Sequence, residues 1–132
     1  MHCALTAMLF ALSIAAAHAC SPALAGGKLV ESGRYSVGFR THPEKIAVGK
    51  HFSVELMVCP KGGAKLAEHL RVDAHMPDHK HGMNYKAEVS PVSEGRYRAN
   101  GLMFHMPGRW EFIFDVRAGG KTDRLTQSVV LE

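Results

Sequence analysis

The sequence lacks the short motifs that mark most enzyme classes. It contains no Gly-x-Ser-x-Gly nucleophile elbow, no Cys-x-x-Cys pair and no glycine-rich phosphate loop ending in lysine. Clustered basic residues are also absent: acidic residues alternate with basic ones along the chain, although the formal net charge is +4. A nucleic-acid surface would require such clustering. We therefore predict that the protein is not an enzyme and does not bind nucleic acid.

The first 25 residues contain no Lys, Arg, Asp or Glu. Ala4 to Ala19 is almost entirely apolar, and small-residue Ala-x-Ala triplets follow at 17–19 and 23–25. This run is shorter than the roughly 20 residues of a membrane-spanning helix. We predict a signal peptide over residues 1–25, cleavage after Ala25, a periplasmic or secreted protein, and no membrane span in the mature chain. An uncleaved anchor is the alternative, because no basic residue precedes the apolar run.

Cysteine is scarce, with three in the whole chain. Cleavage after Ala25 would leave only Cys59, at a strand end among apolar neighbours, where we expect a small buried side chain and no disulfide. Cleavage after Ala19 would retain Cys20. That cysteine would then form a disulfide with Cys59 in an oxidising compartment, or carry a lipid anchor. The sequence leaves these alternatives open.

Helical periodicity is missing from the predicted mature chain, where apolar and polar residues alternate instead. Such alternation, with turn signals at near-regular spacing, is typical of antiparallel β-sandwiches. We predict an all-β, immunoglobulin-like antiparallel sandwich of about seven strands over residues 34–132, preceded by a flexible leader over 26–33. The expected strands are 35–40, 51–59, 70–76, 85–89, 95–104, 109–117 and 125–131, with a short edge segment at 46–48 and a hairpin turn at 118–121.

The chain is rich in histidine and methionine between Val72 and Trp110. Four of its nine histidines and four of its seven methionines lie there, and His-Met-Pro occurs twice. Strand alternation directs several of these side chains outward or into loops. Imidazole and thioether groups together suit copper, whereas zinc would use the histidines alone and is the less expected ion. The candidate metal ligands are His75, His79, His81, Met83 and His105, with Met76, Met103 and Met106 in reserve.

Two sequence patterns in this region resemble a known family. The first is Met76-Pro77 followed by the loop His79-x-His81-Gly82-Met83. The second comprises Gly95-Arg96-Tyr97 and then Phe104-x-Met106-Pro107-Gly108-x-Trp110. Together they resemble the YtkA-like/FixH-like family of small exported bacterial domains. The resemblance covers roughly residues 35 to 131 and implies an immunoglobulin-like sandwich outside the cytoplasm, linked to copper handling or to maturation of respiratory oxidases.

Two functions follow as hypotheses. The first is a periplasmic copper-binding carrier or accessory protein, acting with a copper enzyme, an oxidase or an efflux component. The second is a metal-free protein-interaction domain that assists assembly of a respiratory or other exported complex, with the imidazoles simply capping one end of the sandwich. The distance between the His79–His81 loop and His105 discriminates between them, because imidazoles that share one ion must lie within about 5 Å of one another.

Overall fold

A computed structural model describes residues 19–132 of the chain. Residues 1–18, the larger part of the predicted signal peptide, lie outside the described residues. The described part contains β-strands and no helix, so it holds no helix able to cross a membrane. In chain order the strands are β1 (Lys28–Glu31), β2 (Tyr35–His42), β3 (His51–Pro60), β4 (His69–Met76), β5 (His81–Gly82), β6 (Glu88–Ser93), β7 (Arg96–Met103), β8 (Gly108–Ala118) and β9 (Lys121–Leu131).

The strands form two antiparallel sheets. One sheet has the order β1-β2-β3-β7-β6 and the other has the order β5-β4-β8-β9. This confirms the predicted all-β antiparallel sandwich, with nine strands in the described residues rather than about seven. Its immunoglobulin-like topology stays a prediction. The sequence-based expectation missed β1 and the two-residue β5, and the edge strand expected at 46–48 is an irregular turn region instead.

The core lies between the two sheets and follows the predicted alternation. The apolar side chains that face the core include Phe52, Val54, Leu56 and Val58 on β3, and Trp110, Phe112, Phe114 and Val116 on β8. Ile113, on the opposite face of β8, is also buried. Side chains two residues apart on a strand share a face, so each strand delivers a complete apolar stripe to the core. Burying one large apolar side chain contributes about 1.5–3 kcal/mol. These two central strands therefore supply much of the hydrophobic stabilisation.

Charged residues form ladders on the outer face of the second sheet. Asp115 on β8 accepts hydrogen bonds from Arg124 on β9, at 2.8 Å from Nε and 2.9 Å from Nη2, and one at 3.2 Å from Arg71 on β4. The Arg124 guanidinium holds the pKa of Asp115 below its ordinary value, and Arg71 acts in the same direction against the effect of burial. The carboxylate thus joins three adjacent strands in its ionised form.

The N-terminal segment is part of the fold. Cys59 is buried as predicted, and it forms a disulfide with Cys20, which is one of the alternatives that the sequence left open. Residues 26–33, predicted to be a flexible leader, contain β1, which pairs antiparallel with β2 from Lys28↔Phe39 to Glu31↔Ser36. A strand of only four residues gives little periodic signal, so only the pairing partner reveals it.

Candidate metal centre

Two loops converge at one end of the sandwich. The first is the turn between β4 and β5, which carries His79 and leads into His81. The second is the connection between β7 and β8, which carries His105. The His81 ring centroid lies 5.8 Å from that of His79 and 5.2 Å from that of His105. The structure therefore brings together three of the four predicted histidines, and we call these three the histidine cluster.

The β4–β5 turn is shaped by its own sequence. Pro77 has no N–H and ends the pairing of β4. The His79 N–H then donates to the Met76 carbonyl at 3.1 Å, and Lys80 adopts a left-handed φ of 54°. The chain reverses, and His81 pairs directly opposite Met76 in β5. This short hairpin places the two histidines of the turn next to one another.

An ion pair ties this turn to the start of β8. Asp78 accepts two hydrogen bonds from Arg109, at 3.1 Å from Nε and 3.0 Å from Nη2. This forked geometry fixes orientation as well as distance. The Arg109 guanidinium lowers the pKa of Asp78, and the nearby His79 adds to the effect. Asp78 is thus engaged by arginine and is not a free carboxylate for the histidine cluster.

Trp110 forms the base of the histidine cluster. Its indole is fully buried, stacks on Phe104 with centroids 4.5 Å apart and an interplanar angle of 6°, and donates from Nε1 to the Met106 carbonyl at 3.0 Å. The His81 and His105 rings stand nearly perpendicular to it, with centroids 6.0 Å and 5.4 Å away. A rigid aromatic pair therefore supports both imidazoles from below.

Glycine at position 108 allows this base to pack closely. Gly108 has a φ of +122°, and a Cβ placed there would lie 2.8 Å from the Met76 methyl carbon. The backbone conformation therefore disfavours any other residue, and a Cβ would also displace the end of the Met76 side chain. Gly108 immediately precedes Arg109 and Trp110. The conformation at this position therefore also helps to position the two β8 residues that lie next to the histidine cluster.

The ring nitrogens of two histidines differ in their surroundings. His81 Nδ1 lies 3.1 Å from the Gly82 carbonyl, and since a carbonyl only accepts, this contact favours the neutral tautomer with the proton on Nδ1 and a lone pair on Nε2. His105 Nδ1 is buried and has no hydrogen-bond partner among residues 19–132. Metal-binding histidines commonly donate their other nitrogen to a carbonyl, as His81 does. A buried unpartnered nitrogen, as in His105, is unusual and needs an explanation.

The spacing of the rings matches ligation only in part. Two imidazoles on one tetrahedral ion, each bonded at about 2 Å, have ring centroids about 5 Å apart. The His81–His105 pair already has this separation. The three rings nevertheless form a row with His81 in the middle. In the part of the chain that the structure describes, no three His, Cys, Asp or Glu side chains converge on one point.

The remaining predicted ligands lie elsewhere or face the core. His75 is on the outer sheet face, where Nε2 lies 3.0 Å from Glu111 Oε1. Met76, predicted as a reserve ligand, is fully buried in the core. Met83 and Met106 are half-buried and pack against the hydrophobic core, and each follows a histidine of the cluster closely in the chain. The thioethers are thus near in sequence but directed partly inward.

One aromatic contact near this region was missed by the sequence reasoning. His51, which was not among the predicted site residues, packs edge-on against Tyr85 with centroids 4.9 Å apart. Its Cα is also the register partner of Met103 on β7. The predicted strand at 85–89 begins only at Glu88, so Tyr85 lies in the preceding loop. No local pattern connects residues so far apart in sequence, because strand register alone brings them together.

Fold and site define a small, disulfide-bonded all-β domain that carries a histidine cluster at one end. The YtkA-like family model matches residues 29–115, more than half of the chain, and the protein belongs to this family. The FixH-like part of the predicted resemblance stays a prediction. No curated protein matches the sequence. The crystal structure of a DUF4426 family protein from Pseudomonas aeruginosa PAO1 is similar in fold, with a TM-score of 0.51 and 12% identity, covering 83% of this chain and 99% of that one.

Proposed function

We propose that the protein binds copper outside the cytoplasm and acts as a carrier or accessory protein for a copper enzyme, an oxidase or an efflux component. The observation that carries this proposal is the pairing of His81 with His105, at 5.2 Å between centroids, beside a buried nitrogen that has no partner in the described residues. A bound ion would satisfy His105 Nδ1. It would also use the lone pair that the Gly82 contact leaves free on His81.

The third ligand would come from a small movement. His79 is exposed and 5.8 Å from His81, so rotation of its side chain is not opposed by packing. Such a rotation would turn the row of three rings into a triangle around one ion. Neither backbone loop needs to move, since the Asp78–Arg109 ion pair and the Phe104–Trp110 stack hold both loops in place.

The donor types favour copper over zinc. Imidazole serves copper in either oxidation state, and thioether sulfur favours Cu(I). Met83 and Met106 are both partly exposed, and they lie two residues after His81 and directly after His105, so each is a reserve ligand for Cu(I). Zinc would have only the three imidazoles and no carboxylate, because Asp78 is already paired with Arg109. We therefore propose that the site binds Cu(I) and Cu(II), and that it binds zinc more weakly.

The test is titration of the exported protein, produced without an affinity tag, with Cu(II) and with buffered Cu(I). Calorimetry should give one ion per chain. Trp110, the single tryptophan of the sequence, lies against two proposed ligands and should lose fluorescence as Cu(II) binds. Metal analysis of the protein as isolated adds an independent readout.

Matched variants identify the site. His79→Ala/His81→Ala should abolish stoichiometric binding and the fluorescence loss, whereas His69→Ala, an exposed histidine at the start of β4, should change neither. Wild-type protein that binds no copper would refute the proposal and leave the metal-free interaction domain as the better hypothesis. Binding that survives in the double variant would refute this location.

A further inference from the structure

We propose that the exported chain is cut between Ala19 and Cys20, and that the Cys20 sulfur then forms the disulfide with Cys59 instead of receiving a lipid. This inference concerns processing; it rests on export, which is part of the proposed function, and does not depend on copper. It replaces the cleavage after Ala25 that the sequence pattern favours. The reason is that residues 20–25, which such a cleavage would remove, make specific contacts with the sandwich.

The first contact is covalent. Cys20 is bonded to Cys59, a buried residue near the end of β3, across 39 positions of sequence. Cleavage after Ala25 would discard one half of this bond. It would also leave a thiol on Cys59, a residue that is only 3% exposed.

The second contact lies over β2. Gly38 is a buried glycine, and a Cβ built on it would fall 1.5 Å from the Pro22 carbonyl oxygen. No other residue at position 38 would allow the segment to lie where it does. A backbone packed this tightly on a strand behaves as a structural element of the domain, not as part of a peptide that is removed.

Hydrogen bonds continue this attachment towards β1. The Gly27 N–H donates to the Leu24 carbonyl at 2.9 Å, and Arg40 Nη1 donates to the Ala25 carbonyl at 3.1 Å. The same arginine binds Glu55 on the neighbouring strand at 2.9 Å, so its position does not depend on the segment. Residues 20–27 thus form a continuous strap from the disulfide to β1.

The cleavage position follows from the sequence just before the strap. Ala17-His18-Ala19 supplies the small residues that signal cleavage requires, and cutting after it leaves every contact of the strap intact. Lipidation at Cys20 would place a thioether on Sγ. A sulfur that is bonded to its own Cβ and to a lipid carbon has no bond left for Cys59, so the two fates exclude one another.

The electrons and protons released when the disulfide forms are taken up by an oxidant of the kind found outside the cytoplasm. The thiols of Cys20 and Cys59 lose two protons and two electrons in forming the S–S bond, and a protein disulfide of the oxidant gains them and becomes a dithiol. The attacking thiolate and the mixed-disulfide intermediate are those of common thiol–disulfide exchange. Such oxidants act outside the reducing cytoplasm.

The experiment expresses the full chain in a bacterial host with an export system and measures the intact mass of the product from soluble and membrane fractions. We expect a soluble chain of residues 20–132 that is two hydrogen atoms lighter than its sequence mass and takes up no thiol reagent when denatured. After reduction it should take up two equivalents. Mass measurement does not require that any variant fold.

Cys59→Ser is the sharpest variant because it frees the Cys20 sulfur. Under the proposal its product still begins at Cys20, stays soluble and takes up one equivalent of thiol reagent. The matched Cys20→Ser chain should also be cut after Ala19 and take up one equivalent. Three results would overturn the proposal: a chain that begins at Gly26, a lipid-bearing Cys20 in the membrane fraction, or a membrane-bound chain that retains residues 1–19.

Discussion

Replacing His105 with phenylalanine should stabilise the metal-free protein and remove its stabilisation by copper. His105 Nδ1 is buried without a hydrogen-bond partner in the described residues. A buried polar group left in this state costs about 1–3 kcal/mol of folding free energy. Phenylalanine removes the nitrogen but keeps an aromatic ring for the perpendicular contact with Trp110 at 5.4 Å. We therefore expect the free energy of unfolding to rise by about 1 kcal/mol or more.

Copper should stabilise the wild-type protein and have little effect on the His105→Phe variant. An ion that binds only the folded state adds about 2.7 kcal/mol when its free concentration is 100 times the dissociation constant. Wild-type protein should show this increase in urea unfolding followed by circular dichroism. His105→Phe should show little of it. The variant would thus be the more stable protein without copper and the less stable one with it.

His69→Phe provides the matched control, since His69 is an exposed histidine outside the cluster. It should leave the free energy of unfolding within about 0.5 kcal/mol of wild type, with the copper response intact. The reasoning is refuted if His105→Phe loses more than about 1 kcal/mol without metal, because removing an uncompensated nitrogen should not destabilise. An unchanged copper response in that variant would show that His105 is not a ligand.

Three further predictions concern the fold. Arg124 depresses the pKa of Asp115. This carboxylate therefore contributes stability that is present above its unfolded pKa and is lost as pH falls through its folded pKa. Asp115→Asn should lower the free energy of unfolding in urea at pH 7 and make it depend less on pH in acid. Replacing Cys20 and Cys59 with serine removes a cross-link between residues 39 positions apart. The free energy of unfolding, measured with denaturant at 25 °C, should fall by about 4 kcal/mol. Gly38→Ala, which places a methyl group on backbone, should cost about 3 kcal/mol in thermal unfolding.

Each of these predictions has a control and a contrary result. Gly33→Ala meets nothing within 4 Å among the described residues and should be nearly neutral, so an equal loss there would contradict the strap contact. Reduction of the wild-type disulfide should destabilise the protein as much as the double serine substitution does. A reduced protein as stable as the oxidised one would contradict the stabilisation assigned to the disulfide. Asp78→Asn changes a carboxylate whose side chain is 62% exposed, against 12% for Asp115, so an acid dependence that flattens as much as in Asp115→Asn would contradict the greater weight given to the buried carboxylate.

Most of the sandwich was predictable because strand alternation is a local property. Four buried apolar residues on β3 and five on β8 lie at alternate positions, and such a pattern indicates both the strand and its inward face. The β8–β9 hairpin was predictable for the same reason, since Gly119 and Gly120 supply the two left-handed φ values of its turn. These features depend on residues that are close in sequence.

The N-terminal strap was not predictable from local pattern. Its small residues show no period, and Ala23-Leu24-Ala25 matches a cleavage signal as well as the triplet at 17–19 does. Only two distant residues could have indicated its place in the fold. Cys59 lacks a partner unless Cys20 is retained, and Gly38 is a glycine inside a strand, a position that often marks a close backbone approach.

The candidate site was predictable in composition and not in arrangement. His75, His79 and His81 lie within seven residues, yet His75 is held by Glu111 on the outer face of the sheet while the other two lie in the turn. His105 joins them although it is far away in sequence. Alternation correctly placed His75 outside the core, but the geometry of a turn and of a second loop decides which imidazoles meet.

The arrangement of the histidine cluster suggests how its affinity would be set. His81 and His105 already have the separation of two ligands on one ion, and Trp110 beneath them is fully buried, so binding would not reorganise this pair. Only His79 would have to be immobilised, at a cost of about 0.5–1.5 kcal/mol for one side chain. Loss of His79 should therefore weaken binding less than loss of His81 or His105. His79 is both the ligand that must move and the exposed one. A partner protein that contacts His79 would therefore be able to displace this weakest ligand first and then take up the ion.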